Sequence, residues 1–402
     1  LVEGVRRNVR LSASVSRSHR FNCGRREFLR RSAALALGTP FALGALAEDI
    51  AIPGSIRSKS NVAIVPCRSY AAEVMPAFQK AFDLVGGIDK LVRAKTVTVK
   101  LNLTGTDFTP FLGRNVGETY MTHEATVMAL LTLLFKSGAT RVRLVESTQS
   151  MATLPESLVS AGWNIKAIDA LGKVEYENTR NLGAGKSYAH LKVPNGGYFF
   201  SSFDFNHSYH DTDVMVSMAK LKRHLTAGVT LSMKNLFGIT PNSLYGEEAG
   251  NEHATKGRAP LHYKDGFEKI TLPGLRADAV SRSPFERVPK IVVDICSARP
   301  IDIAIIDGIS AMTVGEGPWC GQAGEIKLTT PGVLIVGLNP VSTDAVATAV
   351  MGYDPRAPRM SKPFENGENH LLLAEKAGLG TADLAQIDVR GMTVDKARYA
   401  YD

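Results

Sequence analysis

The sequence predicts an α/β protein: a mostly parallel sheet built from βαβ units, with helices on both faces and a long irregular excursion in the middle. Three observations predict it. Short β-branched runs alternate with helical-period segments of roughly 10–15 residues, the rhythm of βαβ units. The helical segments tend to stop at a glycine, as at Gly86, Gly138, Gly162 and Gly378. One stretch, 239–285, rich in Gly, Pro and charge, breaks the alternation and is too long for an ordinary connection, which marks it as functional.

The elements follow in order. Asn61–Val65 reads as a first strand, and the periodicity of Ala72–Val85 as a helix. Thr96–Lys100 is a second strand and His123–Lys136 an apolar helix. Arg141–Val145 is a third strand, followed by a short helix, Pro155–Ala161. Asp213–Met218 reads as a strand and Leu225–Leu236 as a helix closed by Gly238. After the excursion, Ile301–Ile306 is a nearly continuous apolar strand, Val333–Gly337 another, and Ser342–Met351 and Leu371–Ala377 are helices. There is no internal repeat.

The N-terminus reads separately. Residues 1–47 hold nine Arg, no Lys and two Glu, so most of the formal charge of +8 sits there. The remainder is close to neutral, which removes the electrostatic motive for nucleic-acid binding. A basic region ends in Gly24-Arg25-Arg26-Glu27-Phe28-Leu29-Arg30, an apolar stretch runs from Ser32 to Leu46, and Ala45-Leu46-Ala47 is a cleavage pattern. Together they match a twin-arginine (Tat) export signal. The apolar run is too short for a membrane anchor, which needs roughly 20 residues, and Gly38, Thr39 and Pro40 break it. The expected organisation is a signal peptide at 1–47, a linker at 48–60, an α/β domain at 61–391, readable as lobes 61–212 and 213–391, and a tail at 392–402. The chain opens on Leu1, as a fragment or a literally translated alternative start would. The Tat translocase is the expected export partner and the periplasm, or another extracytoplasmic space, the destination. No membrane span is expected after cleavage.

Open parallel sheets bind ligands beyond the carboxyl ends of their strands, so polar residues there are the candidates. Thr96–Val99 runs into Lys100-Leu101-Asn102, and Arg141–Val145 into Glu146-Ser147. Asp213–Met218 runs into Lys220-Leu221-Lys222-Arg223-His224, and Ile301–Ile306 into Asp307-Gly308. If the chain stays extended, Lys220, Lys222 and His224 share a side. Thr226–Thr230 reads as a helix start whose free N–H groups attract anions. Lys234 and Asn235 lie near the end of that helix, Arg258 and His262 in the excursion, and Glu316 in the loop Gly315-Glu316-Gly317-Pro318. These groups are expected to gather at one pocket. There Lys222, His224, Glu146 and Asp307 would carry any catalysis, and Lys100, Asn102, Lys220, Lys234, Asn235, Arg258, His262 and Glu316 would bind the ligand. Taken singly, a strand-end Lys or Asp is more often a solvated charge or a helix cap, and it is the convergence of several that points to a site.

His207-x-x-His210-Asp211 reads as a turn before a strand. No H-E-x-x-H, G-x-S-x-G, Walker A or dinucleotide fingerprint occurs, which leaves zincin, serine hydrolase, P-loop and Rossmann readings without support. Past the leader, Cys67, Cys296 and Cys320 form no C-x-x-C pair, so no disulfide framework or self-contained metal site is signalled.

Several of these pieces, in this order, resemble the domain-of-unknown-function 362 family, over about 61–391. They are Val62–Tyr70 (VAIVPCRSY), Lys100-Leu101-Asn102, Glu146-Ser147, Lys220-x-Lys222-x-His224 and Gly228–Gly238 (GVTLSMKNLFG). Arg258, His262, Asp307-Gly308, Gly315–Pro318 and Asn339–Ala345 (NPVSTDA) continue the series. The resemblance implies an architecture and no assigned reaction. Some members carry iron–sulfur modules, and this chain has no appended Cys-rich segment of that kind. Three function classes stay open: an exported enzyme acting on an anionic (carboxylate or phosphate) small molecule, a redox protein holding a divalent metal or iron–sulfur cluster, and a non-catalytic solute-binding protein.

Overall fold

A computed structural model describes residues 60–262, 271–281, 283–320 and 326–401. The expected signal peptide and the linker as far as Lys59 lie outside these described residues. The main strands are β1 (Ser60–Pro66), β2 (Thr96–Lys100), β3 (Arg141–Glu146), β4 (Val174–Asn178), β5 (Val214–Lys220), β6 (Ile303–Gly308), β7 (Val333–Gly337) and β8 (Ile387–Gly391). They form one eight-stranded sheet in the order β8-β1-β7-β6-β5-β2-β3-β4. From β6 through β4 every neighbour is parallel. Only β7 runs against its neighbours, β6 and β1, and β8 returns parallel to β1. The sheet is therefore mostly parallel and draws strands from both halves of the chain.

Strands covered on both faces read as continuous apolar runs. In β5, Val214, Val216 and Met218 join the core on one face, while Met215 and Ala219 join the core on the other. Helices α1 (Val74–Leu84), α2 (Glu124–Lys136) and α3 (Leu154–Ser160) cover the first face. The second is covered by α4 (Leu231–Asn235), α5 (Ala259–His262), α6 (Pro284–Ala298), α7 (Pro340–Val350) and α8 (His370–Lys376). Local chemistry sets the boundaries. Thr153 and Glu156 form a capping box at the start of α3. Asn339 caps α7 with Pro340 in its first turn, and Gly138, at φ +92°, ends α2.

The structure departs from the sequence expectation in two places that matter. The predicted helix Leu225–Leu236 does not begin where expected. Arg223–His224 pairs antiparallel with Gly228–Val229, and Gly228 turns that hairpin at φ +80°, where an added Cβ would strike Phe364. The helix proper is only α4, so residues 226–230 offer no helix N-terminus. The first free N–H groups of α4 are already taken: Asp344 of α7 accepts from Ser232 N at 2.9 Å, Ser232 Oγ at 2.6 Å and Met233 N at 2.9 Å.

The second departure is α6, a 15-residue helix that the sequence pattern hides behind Pro289. A proline inside a helix leaves the carbonyl four residues back without its donor. That carbonyl, Phe285 O, accepts instead from Glu368 N at 3.3 Å, so a tertiary contact repairs what the local sequence breaks.

Candidate functional site

Strands β6, β5, β2 and β3 are adjacent and parallel, so their carboxyl ends share one rim of the sheet. Two buried ion pairs are fixed there. Lys100 Nζ lies 2.6 Å from Glu146 Oε1, and both side chains are 2% exposed. The same ammonium donates to Leu101 O at 2.8 Å, and Glu146 also accepts from Leu103 N and Ser147 N. Lys220 Nζ lies 3.0 Å from Asp307 Oδ2 and donates to Gly117 O at 2.8 Å and Tyr70 Oη at 2.7 Å. Tyr70 in turn donates toward Asp307, and its ring stacks on His123 at 3.7 Å. All three ammonium hydrogens of Lys220 are thus engaged.

The two pairs leave the sheet on opposite faces. Lys220 continues the register of Val214, Val216 and Met218. Lys100 alternates with Val97 and Val99, which sit in that same core. The expectation that Lys100, Glu146, Lys222 and Asp307 gather at a single pocket is corrected accordingly. Extended backbone stops at Lys220 and resumes only at Arg223, so Lys220 parts from Lys222 and His224.

A third group lies between the pairs. Glu316 Oε1 is 2.9 Å from His224 Nε2, 3.6 Å from His262 Nε2 and 3.8 Å from Lys234 Nζ. Lys234 also lies over the Phe237 ring at 4.4 Å, a cation–π contact. Lys222 Nζ donates to Gly315 O at 2.9 Å and Glu316 O at 3.4 Å, tethering the loop that carries Glu316. Asn235, next to Lys234, links this group to the first pair: its Oδ1 is 3.5 Å from Lys100 Nζ and its Nδ2 3.1 Å from Ser217 Oγ. Arg258 comes in from the excursion and donates to Ser147 Oγ (2.6 Å), Gly238 O (2.9 Å) and Thr240 O (2.6 Å). Asn102 braces the rim through Thr122 and Lys220 N. An added Cβ on Gly238 would sit 3.0 Å from Lys100 Nζ, so a side chain at the glycine that closes GVTLSMKNLFG would press on the Lys100–Glu146 pair.

Burial dominates the electrostatics. Desolvation pulls Lys222 down from 10.5 to about 8, and the neighbouring charges of Lys234 and Lys220 add to it against the pull of Glu316. Lys234 falls to about 8 for the same first reason, with Arg258 and Lys100 adding to it. Burial also lowers Lys100 and Lys220, each opposed by its own carboxylate partner. His224 is lowered to about 3 and His262 to about 4, again first by desolvation, so both rings are neutral near neutral pH. Burial acts to raise Glu316, but the His224 hydrogen bond and the adjacent positive charge outweigh it and hold the carboxyl well below its ordinary value.

With Lys100 and Lys220 each matched by its own carboxylate, three further cationic side chains desolvated by burial (Lys222, Lys234 and Arg258) are left with Glu316 as the carboxylate of the third group. Among the described residues, no carboxylate lies within ion-pair distance of Lys222 or Arg258. Buried charge without a counter-charge is costly, and an anion would relieve it.

His224, His262 and Glu316 also present ligand atoms within 4.8 Å of one another, the geometry of a metal site. The His224 tautomer argues against one in this rotamer. Its Nδ1 accepts from Thr226 N at 3.0 Å and Ala227 N at 3.2 Å, so the ring proton resides on Nε2, the nitrogen facing Glu316. A protonated nitrogen has no lone pair for a metal, whereas it suits an anion. Cys67 Sγ is near Ser69 O and Cys296 Sγ near Met233 O, whereas Cys320 packs beside Gly315 and lies close enough to Lys222 and Lys234 to act on both charges. None is in a disulfide.

Sequence reasoning did not reach Tyr70 and His123 as parts of the rim. Tyr70 comes from a connection without periodicity, and His123 reads in sequence only as the start of its helix, which it caps. Only the pairing of β6 with β5 places Asp307 against them. Asn242, which accepts from Ser147 Oγ at 2.9 Å, was hidden in the excursion. His207 and His210 form the expected turn, both bonded to Asp211.

The family model described as "Domain of unknown function (DUF362)" matches residues 97–349. The chain belongs to the DUF362 family. That match takes in all of the rim residues named above except Tyr70. Among curated proteins, the thylakoid-associated protein sll1697 of Synechocystis sp. is 28% identical over 165 residues, 40% of each chain. This DUF362 chain therefore spans well under two thirds of that relative's length. Among solved structures, one from Thermotoga maritima is 13% identical, with a TM-score of 0.31, over 61% of this chain and 51% of the other. Likeness at that level carries no argument.

Proposed function

We propose that this DUF362 protein binds an anionic small molecule, a carboxylate or phosphate, at the strand-end rim, and that Lys222, Lys234 and Arg258 supply the charge. The observation that carries the reading is the excess of buried cations over carboxylates, with neither Lys222 nor Arg258 ion-paired among the described residues. A receptor that only captured anions would not need Glu316 among its cations, so the arrangement also suits acid–base chemistry. An ammonium with a pKa near 8 can hold and give up a proton close to neutral pH, and the Nε2–H of His224 can donate a hydrogen bond to a developing oxyanion.

Export through the Tat route is part of this proposal and rests on the Arg25-Arg26 leader. The name of the Synechocystis relative records a thylakoid association for that protein. For this chain, no helix among the described residues is long and apolar enough to cross a membrane.

Calorimetric titration of the full chain with oxalate and with inorganic phosphate tests the binding. At least one should bind, and Lys222→Met should weaken it tenfold or more while leaving the circular dichroism spectrum unchanged. Equal binding by both proteins would remove the rim as the anion site. Native mass spectrometry of the protein from its export compartment would then identify the bound anion.

A further inference from the structure

The convergence on Glu316 has an asymmetry. The three nitrogens that meet it come from separate parts of the fold: His224 from the small hairpin, Lys234 from α4 and His262 from α5. All three face one oxygen, Oε1. The receiving side chains lie deeper than the group they receive. His224 and Lys234 are 2% and 7% exposed and His262 17%, whereas Glu316 is 32% exposed. The carboxylate thus reaches into a cradle of nitrogens from its more exposed side, as a ligand would.

Its attachment suits that role. Glu316 sits between Gly315, at φ +98°, and Gly317, and added Cβ atoms at these positions would strike Cys320 and Trp319 respectively. The loop is held by Gly315 N donating to Arg223 O at 3.2 Å and by Lys222 donating to Gly315 O. These main-chain contacts do not depend on the Glu316 side chain, so its carboxylate can rotate away while the loop stays anchored.

We propose that the His224–His262–Lys234 cradle is the seat of a ligand carboxylate and that the Glu316 carboxylate is its built-in competitor, occupying the seat until a ligand displaces it. This rests on the anion-binding reading above and specifies its ligand class. The chemistry is conservative, because one carboxylate oxygen replaces another against the same N–H donor and the same ammonium. The displaced glutamate loses a hydrogen bond and an ion pair and regains water. Displacement also leaves the cradle with one carboxylate fewer, so the incoming ligand meets the full charge of Lys222 and Lys234.

The experiment titrates acetate, oxalate and inorganic phosphate into the full-length wild type, Glu316→Ala and Glu316→Gln by calorimetry, with thermal shift as a second readout. Removing the competitor should tighten both carboxylates at least tenfold, and acetate should raise the melting temperature of Glu316→Ala but not that of the wild type. The glutamine variant keeps the side-chain volume and reads the same charge loss if the alanine variant fails to fold. Unchanged affinity, or loss of carboxylate binding in both variants, would overturn the proposal, because Glu316 would then be a bystander or would itself hold the ligand. An equal gain for phosphate would overturn the carboxylate assignment. Wild-type anion binding that ignores Glu316 sinks only this inference, while binding indifferent to Lys222→Met sinks the broader reading, and no binding by any protein sinks both.

Discussion

Lys100 and Glu146 form an ion pair at 2.6 Å with both side chains 2% exposed, so neither charge can be left alone without cost. Glu146 also accepts two main-chain N–H groups. Glu146→Ala should therefore destabilise the fold by roughly 3–5 kcal/mol, the range for breaking a buried pair from one side. Urea denaturation measures it, and a loss below about 1 kcal/mol would show that water reaches Lys100. Replacing Lys100 and Glu146 together by Met and Gln should cost less than the single change, because no charge is then stranded.

Lys222 presents the opposite case, a buried ammonium bonded only to carbonyls. Lys222→Met removes an uncompensated charge and keeps most of the side-chain volume. The ligand-free protein should become more stable, by about 1 kcal/mol, as it loses anion binding. Sites held at a cost to stability commonly behave this way. A melting temperature that falls instead would mean that the tether to Gly315 outweighs the desolvation of the charge.

Asp344 acts on the site through α4. It is fully buried and accepts three donors from Ser232 and Met233, fixing the helix that carries Lys234 and Asn235. Asp344→Ala leaves two buried N–H groups without acceptors, at about 1–3 kcal/mol each. We expect a loss of about 2–6 kcal/mol on that basis, with weakened anion binding although Asp344 touches no ligand-binding atom. Full stability in this variant would mean that water replaces the carboxylate.

These residues also show how far the sequence was legible. The sheet could be read because its strands are covered on both faces, so strands such as β5, β6 and β7 stand out as apolar runs. The polar strand ends could be read too, since an acid or amine just after such a run has few structural reasons to be there. The partners of those strand ends could not. Tyr70 lies 237 residues from Asp307 in sequence, and no local pattern announces the contact. The error at 225–236 has a specific cause: the apolar spacing of GVTLSMKNLFG matches a helix, but Gly228 at φ +80° and the hairpin with Arg223–His224 override it. Helix α6 was lost for the reverse reason, because Phe285 O finds in Glu368 N a donor that the local sequence cannot supply.

The pH dependence follows from Lys222 and Lys234, each lowered from 10.5 to about 8. The groups facing Lys222 are Glu316, Cys320, Lys234 and Lys220, and those facing Lys234 are Glu316, Arg258, Lys100 and Cys320. Between about pH 8 and 10.5 the unfolded chain holds protons on these lysines that the folded chain has released, so their contribution to stability rises with pH. Below about pH 8 both states are protonated and the full burial cost is present. The stability advantage expected of Lys222→Met over wild type should accordingly shrink as pH climbs through that window. Anion binding should move the other way, holding below about pH 8 and fading above it as the ammonium groups lose charge. Parallel urea melts and titrations from pH 6 to 10 check both. An advantage for Lys222→Met that stays flat with pH would mean that Lys222 keeps its ordinary pKa and that its charge is solvated.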